Sequence, residues 1–477
     1  MATTNGNRKI IDMKRWEFCT PAPTATSAGI CVVSSKHYRQ QQLMLTSNTT
    51  AYLYNPQEDG FVALPSPALV GTFGAGACAE ASAWSTGSAV GVASLTATGG
   101  TTTTIITGQT LARDLRGYSV HILSGPNAGA TLAIASNTIG AAAVITVATQ
   151  GAAFSASTVF RIIAPRWYAL GAGTLAAGSF RVYDFPTNTW QTLSITGLPA
   201  TIGTDCRLVS TPSWKDATYL AFATGTATSA TATTLVNSAK TWTASQWVNS
   251  QIRIVSGTGA GQIRTITANN ATSVTVATWT TTPDATSVYS IEGNDDFLYL
   301  IGNGAVTMYR YSISANTWAT LSPTAARAAA PGAGLGGHWI WGHSDSAWTS
   351  ESSIINGKRI YSLRGGAGAV VDYYDIAANT WVSGITYAPA TEVFGAGTTY
   401  AYNGDYLYAQ KDATGRWFRF NFATGECDPW NTMTYTQGAA VIGDTAFDVT
   451  YIDGDTKIVY IYKVLNTSAV MLRQMVV

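Results

Sequence analysis

The sequence predicts an all-β fold, a six-bladed β-propeller that carries two inserted small β-barrel or sandwich domains. Three observations lead to this prediction. A hairpin motif with aromatic residues at both ends recurs along the 477 residues, and a second, longer repeat fills two of the intervals between its copies. The composition, 46% hydrophobic but only 11% charged, is typical of many short strands and tight turns and unfavourable for long solvated helices.

The hairpin motif consists of a strand, a polar turn and a second strand that opens with an aromatic residue. Four copies lie at Tyr54 and Phe61, Tyr183 and Trp190, Tyr311 and Trp318, and Tyr374 and Trp381, and a fifth copy with one extra turn residue runs from Phe422 to Trp430. Apolar and polar residues alternate before each turn, and Asn, Gly or Pro supplies the turn itself. We expect the second aromatic residue to pack against a neighbouring sheet.

The number of copies predicts six blades of four strands each. Each copy continues through a Pro- or Gly-containing loop into a strand of small residues, as expected for the innermost strand of a blade, and then into an aromatic-rich strand. The blades end at Phe61, Trp190, Trp318, Trp381, Trp430 and Trp16. Since residues 436–477 supply only three strands, we expect residues 10–20 to complete the last blade. The predicted propeller comprises residues 1–95, 163–225 and 292–477.

This hairpin repeat resembles that of the kelch family of β-propellers. The intervals from Trp318 to Trp381 and from Trp381 to Trp430 are 63 and 49 residues, near the roughly 50 residues of a kelch repeat. The resemblance covers most of the chain outside two long inserts. The paired glycines typical of the family are clear only at residues 336–337 and 365–366. The resemblance implies a propeller, a fold that serves both binding proteins and enzymes.

Two inserts, module 1 (residues 96–162) and module 2 (residues 226–291), share the second repeat. Their segments from Ser124 to Gly129 and from Ser256 to Gly261 match as Ser-Gly-x-x-Ala-Gly at an offset of 132 residues. The glycines suggest a phosphate-binding loop, but the Lys-Ser/Thr ending and the following helix are missing, so we predict a hairpin turn. We expect the modules to enter after the inner strands of blades 2 and 3 and to stand on the same side of the propeller.

Module 2 resembles a short module that is common in structural proteins of tailed bacteriophages. Residues 256–266, Trp242, Trp247 and residues 280–286 carry this resemblance, and residues 7–16 resemble such proteins as well. The resemblance implies a non-enzymatic structural component of a virion, in its tail, neck or baseplate region. Its partners would be other virion structural proteins and copies of itself. The alternative is a capsid-decoration protein or a receptor-binding protein that recognises a host surface glycan.

Charge and hydropathy argue against nucleic acid and membrane as partners. The 27 basic and 26 acidic residues give a net charge of +1 and a pI of about 7.6, without the basic excess of a nucleic-acid-binding protein. No apolar stretch reaches the roughly 18 residues of a membrane span, and the first residues lack the apolar core of a secretory signal. We therefore expect a soluble product of the host cytoplasm whose five widely spaced cysteines are free thiols.

The histidines and acidic residues do not form a recognisable catalytic or metal-binding motif. Only four histidines occur, His37, His121, His338 and His343, and the last two are five residues apart, which is not a standard ligand spacing. No Gly-x-Ser-x-Gly elbow is present, and the residues of kelch-type copper oxidases have no match. Such an oxidase, or a glycan hydrolase with paired carboxylates, stays open as a third alternative. We predict that the protein is not an enzyme, and we assign no cofactor and no catalytic, cofactor-binding or metal-binding residue.

Overall fold

The computed structural model shows an all-β protein, as the sequence predicts. It describes residues 16–24, 31–34, 42–56, 58–70, 77–82, 94–203, 206–211, 214–215, 218–219, 221–302, 304–332, 335, 338–339, 359–366, 370–386, 394–395, 398–402, 406–411, 416–421, 426–432, 449–453, 458–464 and 470–476. These residues contain strands but no helix, and all strand pairs are antiparallel. Short runs of β-branched and aromatic residues between Gly-, Asn- and Pro-containing turns explain this all-β pattern.

Six sheets of four strands each repeat along the described chain. Sheet 1 contains β2 (Cys31–Ser34), β3 (Gln42–Leu45), β4 (Ala51–Asn55) and β5 (Gly60–Ala63). Sheet 2 contains β6 (Cys78–Ser82), β14 (Arg166–Leu170), β16 (Phe180–Asp184) and β17 (Thr189–Thr192), and sheet 3 contains β19 (Arg207–Ser210), β29 (Phe297–Ile301), β30 (Met308–Ser312) and β31 (Thr317–Thr320). Sheet 4 contains β32 (His338–Trp339), β33 (Arg359–Leu363), β34 (Val370–Asp375) and β35 (Thr380–Thr386). Sheet 5 contains β36 (Thr399–Tyr402), β37 (Tyr406–Lys411), β38 (Arg416–Asn421) and β39 (Glu426–Thr432).

Sheet 6 joins the two ends of the described chain. It contains β40 (Val449–Asp453), β41 (Ile458–Val464) and β42 (Met471–Val476), followed at its edge by β1 (Trp16–Phe18). Trp16 lies opposite Gln474 and Phe18 opposite Leu472, and the Cys19 amide donates to the Met471 carbonyl at 2.9 Å. The strand around Trp16 therefore takes the fourth position of the sheet formed by the C-terminal strands.

Each module contains one sheet of seven strands, which extends slightly beyond the predicted bounds of 96–162 and 226–291. The sheet of module 1 runs from Leu95 to Ile163, and that of module 2 runs from Ala221 to Glu292. The sheet of module 1 contains, in sheet order, β7 (Leu95–Thr96), β13 (Val159–Ile163), β10 (Ser119–Ser124), β11 (Thr131–Asn137), β12 (Val144–Val147), β9 (Thr104–Ile106) and β8 (Gly99–Gly100). The sheet of module 2 contains β22 (Ala221–Thr226), β28 (Val288–Glu292), β25 (Gln251–Ser256), β26 (Ile263–Asn269), β27 (Ser273–Val276), β24 (Thr234–Val236) and β23 (Ser229–Ala230). Two small ladders, β15 (Gly173–Thr174) with β18 (Thr201–Ile202) and β20 (Trp214–Lys215) with β21 (Thr218–Tyr219), complete the described strands.

The two modules are inserted at the same place in consecutive sheets. Module 1 lies in the chain between the first and second strands of sheet 2, and module 2 lies between the first and second strands of sheet 3. A β-bulge interrupts the register of β11 between Ile134 and Ser136 and that of β26 between Ile266 and Ala268. Because a bulge bends its strand, each module sheet bends at the same point.

A tyrosine–Asx hydrogen bond explains the spacing of the hairpin motif. In four copies the tyrosine hydroxyl donates, at 2.6–2.7 Å, to an Asp or Asn five residues later: Tyr54 to Asp59, Tyr183 to Asn188, Tyr311 to Asn316 and Tyr374 to Asn379. The four Asx residues have φ between 46° and 54°, a left-handed conformation that Asn and Asp tolerate better than other non-glycine residues. The aromatic residue that follows contacts the same tyrosine ring, with centroids 4.8–5.6 Å apart. The motif thus fixes the turn and the position of the outer strand together.

Sheets that are consecutive in the chain are also neighbours in space. The first strands of sheets 1 to 4, namely β2, β6, β19 and β32, lie beside one another in that order. The Trp190 indole of sheet 2 donates to the Pro65 carbonyl after sheet 1 at 2.9 Å, and the Trp318 indole of sheet 3 donates to the Ser194 carbonyl after sheet 2 at 3.1 Å. Sheets 3, 4 and 5 share one hydrophobic core. The second aromatic residue of the motif therefore packs between sheets, as its position predicts.

Candidate functional site

The junction between the two modules is the candidate functional site. In module 1 the Ser-Gly-x-x-Ala-Gly segment connects β10 to β11, and in module 2 it connects β25 to β26, so the predicted hairpin turn is confirmed. The two turns have the same backbone conformation: φ is 84° at Gly125 and 80° at Gly257, and it is 87° at both Gly129 and Gly261. Such φ values strain any residue with a Cβ atom, which accounts for the glycines.

The two turns touch each other through their last glycines. A Cβ atom on Gly261 would collide with the carbonyl oxygen of Leu123, and a Cβ atom on Gly129 would collide with the carbonyl oxygen of Val255. Leu123 and Val255 are equivalent residues under the offset of 132. The junction therefore contains one backbone contact made twice, once in each direction, as in an interface with an approximate twofold axis.

A cleft of about 730 Å³ opens beside this contact and is lined by both modules. Both glycine turns form its walls, together with Arg161 of module 1 and with Gln262, Arg264, Thr280 and Thr281 of module 2. The Arg264 guanidinium donates to the Thr280 hydroxyl at 3.0 Å, and partial burial lowers the pKa of this arginine. The Gln262 amide accepts from the backbone N–H of Thr281 at 3.1 Å and donates to its carbonyl at 2.8 Å. These side chains hold the wall of module 2 in place.

A buried ion pair lies in module 2 close to the junction. The Arg253 guanidinium donates from Nε and Nη2 to Oε1 of Glu292 at 3.1 and 2.9 Å, and Gln251 donates to Oε2 at 3.3 Å. Glu292 is fully buried, and Arg253 is 5% exposed. Burial raises the pKa of Glu292 to about 7, although Arg253, Ser290 and Gln251 act in the opposite direction.

A second set of buried charged and titratable groups comes from module 1. Arg161 lies 3.4 Å from Asp295, a residue that follows module 2 and precedes β29 of sheet 3. His121 is fully buried, and its Nδ1 lies 2.9 Å from the Thr131 hydroxyl. Burial lowers the pKa of His121 well below its usual value, and the positive charges of Arg253 and Arg161 lower it further. Together with the Arg253–Glu292 pair, Arg161, Asp295 and His121 therefore link module 1, module 2 and sheet 3 through buried polar groups.

The sequence assigned none of these five residues, His121, Arg161, Arg253, Glu292 and Asp295, to a site. The alignment of the modules places His121 at the position of Arg253, each between two apolar residues of a strand. This alternation is the ordinary pattern of a strand with one buried face, so it gave no signal that the two polar residues are buried. The partners Glu292 and Asp295 carry no signal either.

The other histidines do not add to this junction. His338 lies in β32, but its side chain is outside what the structure describes, and His37 and His343 lie outside the described residues altogether. Among the residues that the structure describes, no group of three or more His, Cys, Asp and Glu side chains is placed to hold a metal ion. Of the described cysteines, Cys19, Cys78, Cys206 and Cys427 are not in disulfide bonds, and the first three of them are buried. These described residues also include no helix long and apolar enough to cross a membrane.

Comparisons with known proteins give no family for this chain. No protein-family model matches it, and no curated protein is significantly similar to it.

Proposed function

We propose that the six sheets form a closed six-bladed β-propeller made of residues 1–95, 163–225 and 292–477. Contacts that run from each sheet to the next support a ring, and two of them bear on its closure. The Trp16 ring of sheet 6 lies 5.3 Å from the Trp417 ring of sheet 5, and the Tyr54 ring of sheet 1 lies 5.8 Å from the Tyr462 ring of sheet 6. The Thr20 amide, just after β1, donates to both carboxylate oxygens of Asp59 in the turn of sheet 1.

Strand order favours a small β-barrel for each module over a sandwich. The strands at the two edges of each sheet, β7 and β8 in module 1 and β22 and β23 in module 2, are separated by only two residues of chain. Because a residue spans at most about 3.6 Å, opposite edges joined in this way must lie near each other. A sheet with adjacent edges has to curl towards closure.

Removing the N-terminal strand tests the ring. We expect deletion of residues 1–20 to lower the melting temperature sharply, because sheet 6 loses its edge strand and its contact with Asp59. Trp16→Ala should reproduce part of this loss, since Trp16 packs on Trp417. Phe18→Ala is the matched control, because Phe18 in the same strand is 67% exposed. An unchanged melting temperature in the deletion would contradict a closed propeller.

We further propose that the protein is a non-enzymatic structural component of a tailed-phage virion, in its tail, neck or baseplate region, present in several copies. The observation that carries this proposal is the pair of like modules, of a type that resembles a phage structural module, held against each other by direct backbone contact. The small number of charged residues supports this proposal. Several of them are buried inside the protein, so even fewer remain at its surface. Examples that are less than a tenth exposed are Arg166, Asp184, Arg253, Glu292, Arg327 and Asp372. A surface poor in charge suits burial against neighbouring subunits, since interface cores are depleted of charged residues.

Purified particles of the phage that encodes the chain provide the test. We expect mass spectrometry to detect the chain in many copies per particle, and an electron-microscopy map to show each copy burying at least about 1,000 Å² against its neighbours. Modules that project freely from the particle and bind a host glycan would instead support a receptor-binding protein. Absence of the chain from the particle would refute the virion proposal. Stoichiometric copper, or hydrolysis of a glycan, would refute the non-enzymatic role.

A further inference from the structure

We propose that the face of each module that carries the Ser-Gly-x-x-Ala-Gly turn is a self-recognition surface whose partner is the other module of the same chain. The proposal concerns the modules themselves and holds whether or not the protein belongs to a virion. It starts from the reciprocal contact of the turns, in which Gly261 packs on the backbone of Leu123 and Gly129 on that of Val255.

Equivalent parts meet in this contact. Gly129 and Gly261 have the same φ of 87°, and the residues that they approach are equivalent as well. The next contacts differ between the two sides: a Cβ atom on Gly261 would lie 2.7 Å from the Ile122 carbonyl oxygen, whereas one on Gly129 would lie 3.1 Å from the Ala260 Cβ. A surface that binds a second copy of itself through the same atoms is isologous, the arrangement typical of a twofold dimer.

The place of insertion makes this pairing possible within one chain. Both modules leave a sheet after its first strand, and the first strands β6 and β19 lie beside each other. Glu80 of β6 accepts a hydrogen bond from the Ser210 amide of β19 at 3.2 Å, so the bases of the modules are held together too. The partner surface is therefore present at high effective concentration, which favours pairing within the chain over pairing between chains.

Two residues at equivalent positions explain why unlike modules pair. The approximate twofold axis exchanges His121 and Arg253, so the mixed pair brings one imidazole and one guanidinium to the junction. Two copies of module 2 would bring two arginines together, each paired with its own Glu292, and a larger guanidinium would have to fit where the fully buried imidazole of His121 lies. The lowered pKa of His121 supports this reasoning, because Arg253 contributes to it. The pair of module 1 with module 2 is therefore favoured over a pair of two copies of module 2.

Hydrogen–deuterium exchange of the full-length protein tests the proposal across the junction. We expect Gly261→Ala, a change in module 2, to speed exchange in residues 119–133 of module 1 on the order of tenfold, the factor that corresponds to about 1.4 kcal/mol. Gly129→Ala should have the reciprocal effect on residues 251–265 of module 2. Gly304→Ala is the control, because Gly304 also has a positive φ, 74°, but a Cβ atom there meets nothing within 4 Å.

A second variant separates the contact between the modules from the backbone strain that alanine causes at a glycine with positive φ. Ala260 does not have a positive φ, so Ala260→Val crowds Gly129 without placing a side chain on a left-handed residue. The proposal requires faster exchange in module 1 in this variant as well. Unchanged exchange in module 1 for both folded variants, or an equal change in Gly304→Ala, would overturn it. These outcomes do not depend on whether the protein belongs to a virion.

Discussion

Modules 1 and 2 share a strand order, a turn and a point of insertion, but they differ in their core residues and in their contacts with the six sheets. The core of module 2 contains Trp242, Trp247 and Trp279 and is continuous with the core of sheets 3 to 5. The core of module 1 contains Leu115 at the position of Trp247 and is continuous with the core of sheets 1 and 2. The glycines of the turn are the same in both. The backbone contact between the modules therefore restricts the sequence more than the packing inside them does.

The modules are also attached to different parts of the molecule. Arg113 of module 1 donates at 2.7 Å to both the Tyr183 hydroxyl and Asn188 Oδ1, so it binds the tyrosine–Asx pair of sheet 2. Asn249 of module 2 donates to the Ile376 carbonyl of sheet 4 at 3.0 Å and accepts from Arg310 of sheet 3 at 2.8 Å. Apart from the ion pair of Arg161 with Asp295, module 1 is therefore anchored on the sheet into which it is inserted, whereas module 2 bridges two sheets.

The largest expected effect distinguishes the two cores. We expect Trp247→Ala to lower the free energy of unfolding by about 3–5 kcal/mol, because a buried indole that contacts Trp242 and Phe222 leaves a large cavity. Leu115→Ala, at the equivalent position of module 1, should cost about 2–4 kcal/mol. Chemical denaturation measures the loss, and hydrogen exchange should locate it in sheets 3 to 5 for Trp247→Ala and in sheets 1 and 2 for Leu115→Ala. The same exchange pattern in both variants would show that the cores are not separate.

A fall in pH should change the stability contributions of Glu292 in module 2 and His121 in module 1 in opposite directions. The folded pKa of Glu292, about 7, lies above the ordinary 4.5, so the folded state binds a proton more tightly than the unfolded state between these values. The contribution of Glu292 to stability is therefore fully present below about pH 4.5 and falls by roughly 3 kcal/mol as the pH rises to about 7. We expect Glu292→Gln to remove this fall, so that its stability relative to the wild-type protein increases across that interval in melts recorded at several pH values.

His121 of module 1 gives the contrary case. Its folded pKa lies below the ordinary 6.5, so its contribution to stability is present above pH 6.5 and is lost as the pH falls towards the folded value. His121→Asn should therefore reduce the acid sensitivity of the protein, whereas Glu292→Gln should not. Parallel pH profiles of the two variants would contradict the assignment of opposite roles.

The anchors of the modules predict a smaller, local effect. Arg113→Ala removes both hydrogen bonds to the tyrosine–Asx pair and should cost about 1–2 kcal/mol. Asn249→Ala should cost a similar amount, but it should raise hydrogen exchange in the turn of sheet 4 and not in that of sheet 2. Equal exchange in the two turns for both variants would show that the modules are not anchored separately.

The all-β class and the hairpins could be predicted because they depend on residues close together in the chain. Tyr183, Asn188 and Trp190 lie within one turn, so their spacing indicates the hairpin directly. The ion pair of Arg253 with Glu292 could not be predicted, since the partners are 39 residues apart and module 1 has His121 in place of Arg253 at the equivalent position. The junction between the glycine turns was equally hidden, because a pattern that predicts a hairpin turn does not indicate which surface the turn contacts.

The modules hold one loop next to the cleft by two different side chains. In module 1, Asn127 donates to the Ala152 carbonyl at 2.9 Å and accepts from the Ala152 amide at 3.3 Å. In module 2 the position of Asn127 is occupied by Gly259, and Gln262 makes the equivalent pair of bonds to Thr281. The same backbone is therefore fixed from two positions three residues apart.

Placing the asparagine of module 1 into module 2 tests whether the two side chains can replace each other. We expect this exchange to have the smallest effect on stability. We expect Gln262→Ala to cost about 1 kcal/mol and to speed hydrogen exchange in residues 279–282, because the bonds to Thr281 are lost. Adding Gly259→Asn should restore protection, since Asn tolerates the left-handed φ of 79° at this position and Asn127 has a φ of 62°. In the wild-type protein a Cβ on Gly259 would lie 2.5 Å from the Gln262 amide nitrogen, so Gly259→Asn alone should destabilise the turn. If Gly259→Asn fails to restore protection in the double variant, the two modules hold their loops by mechanisms that are not interchangeable.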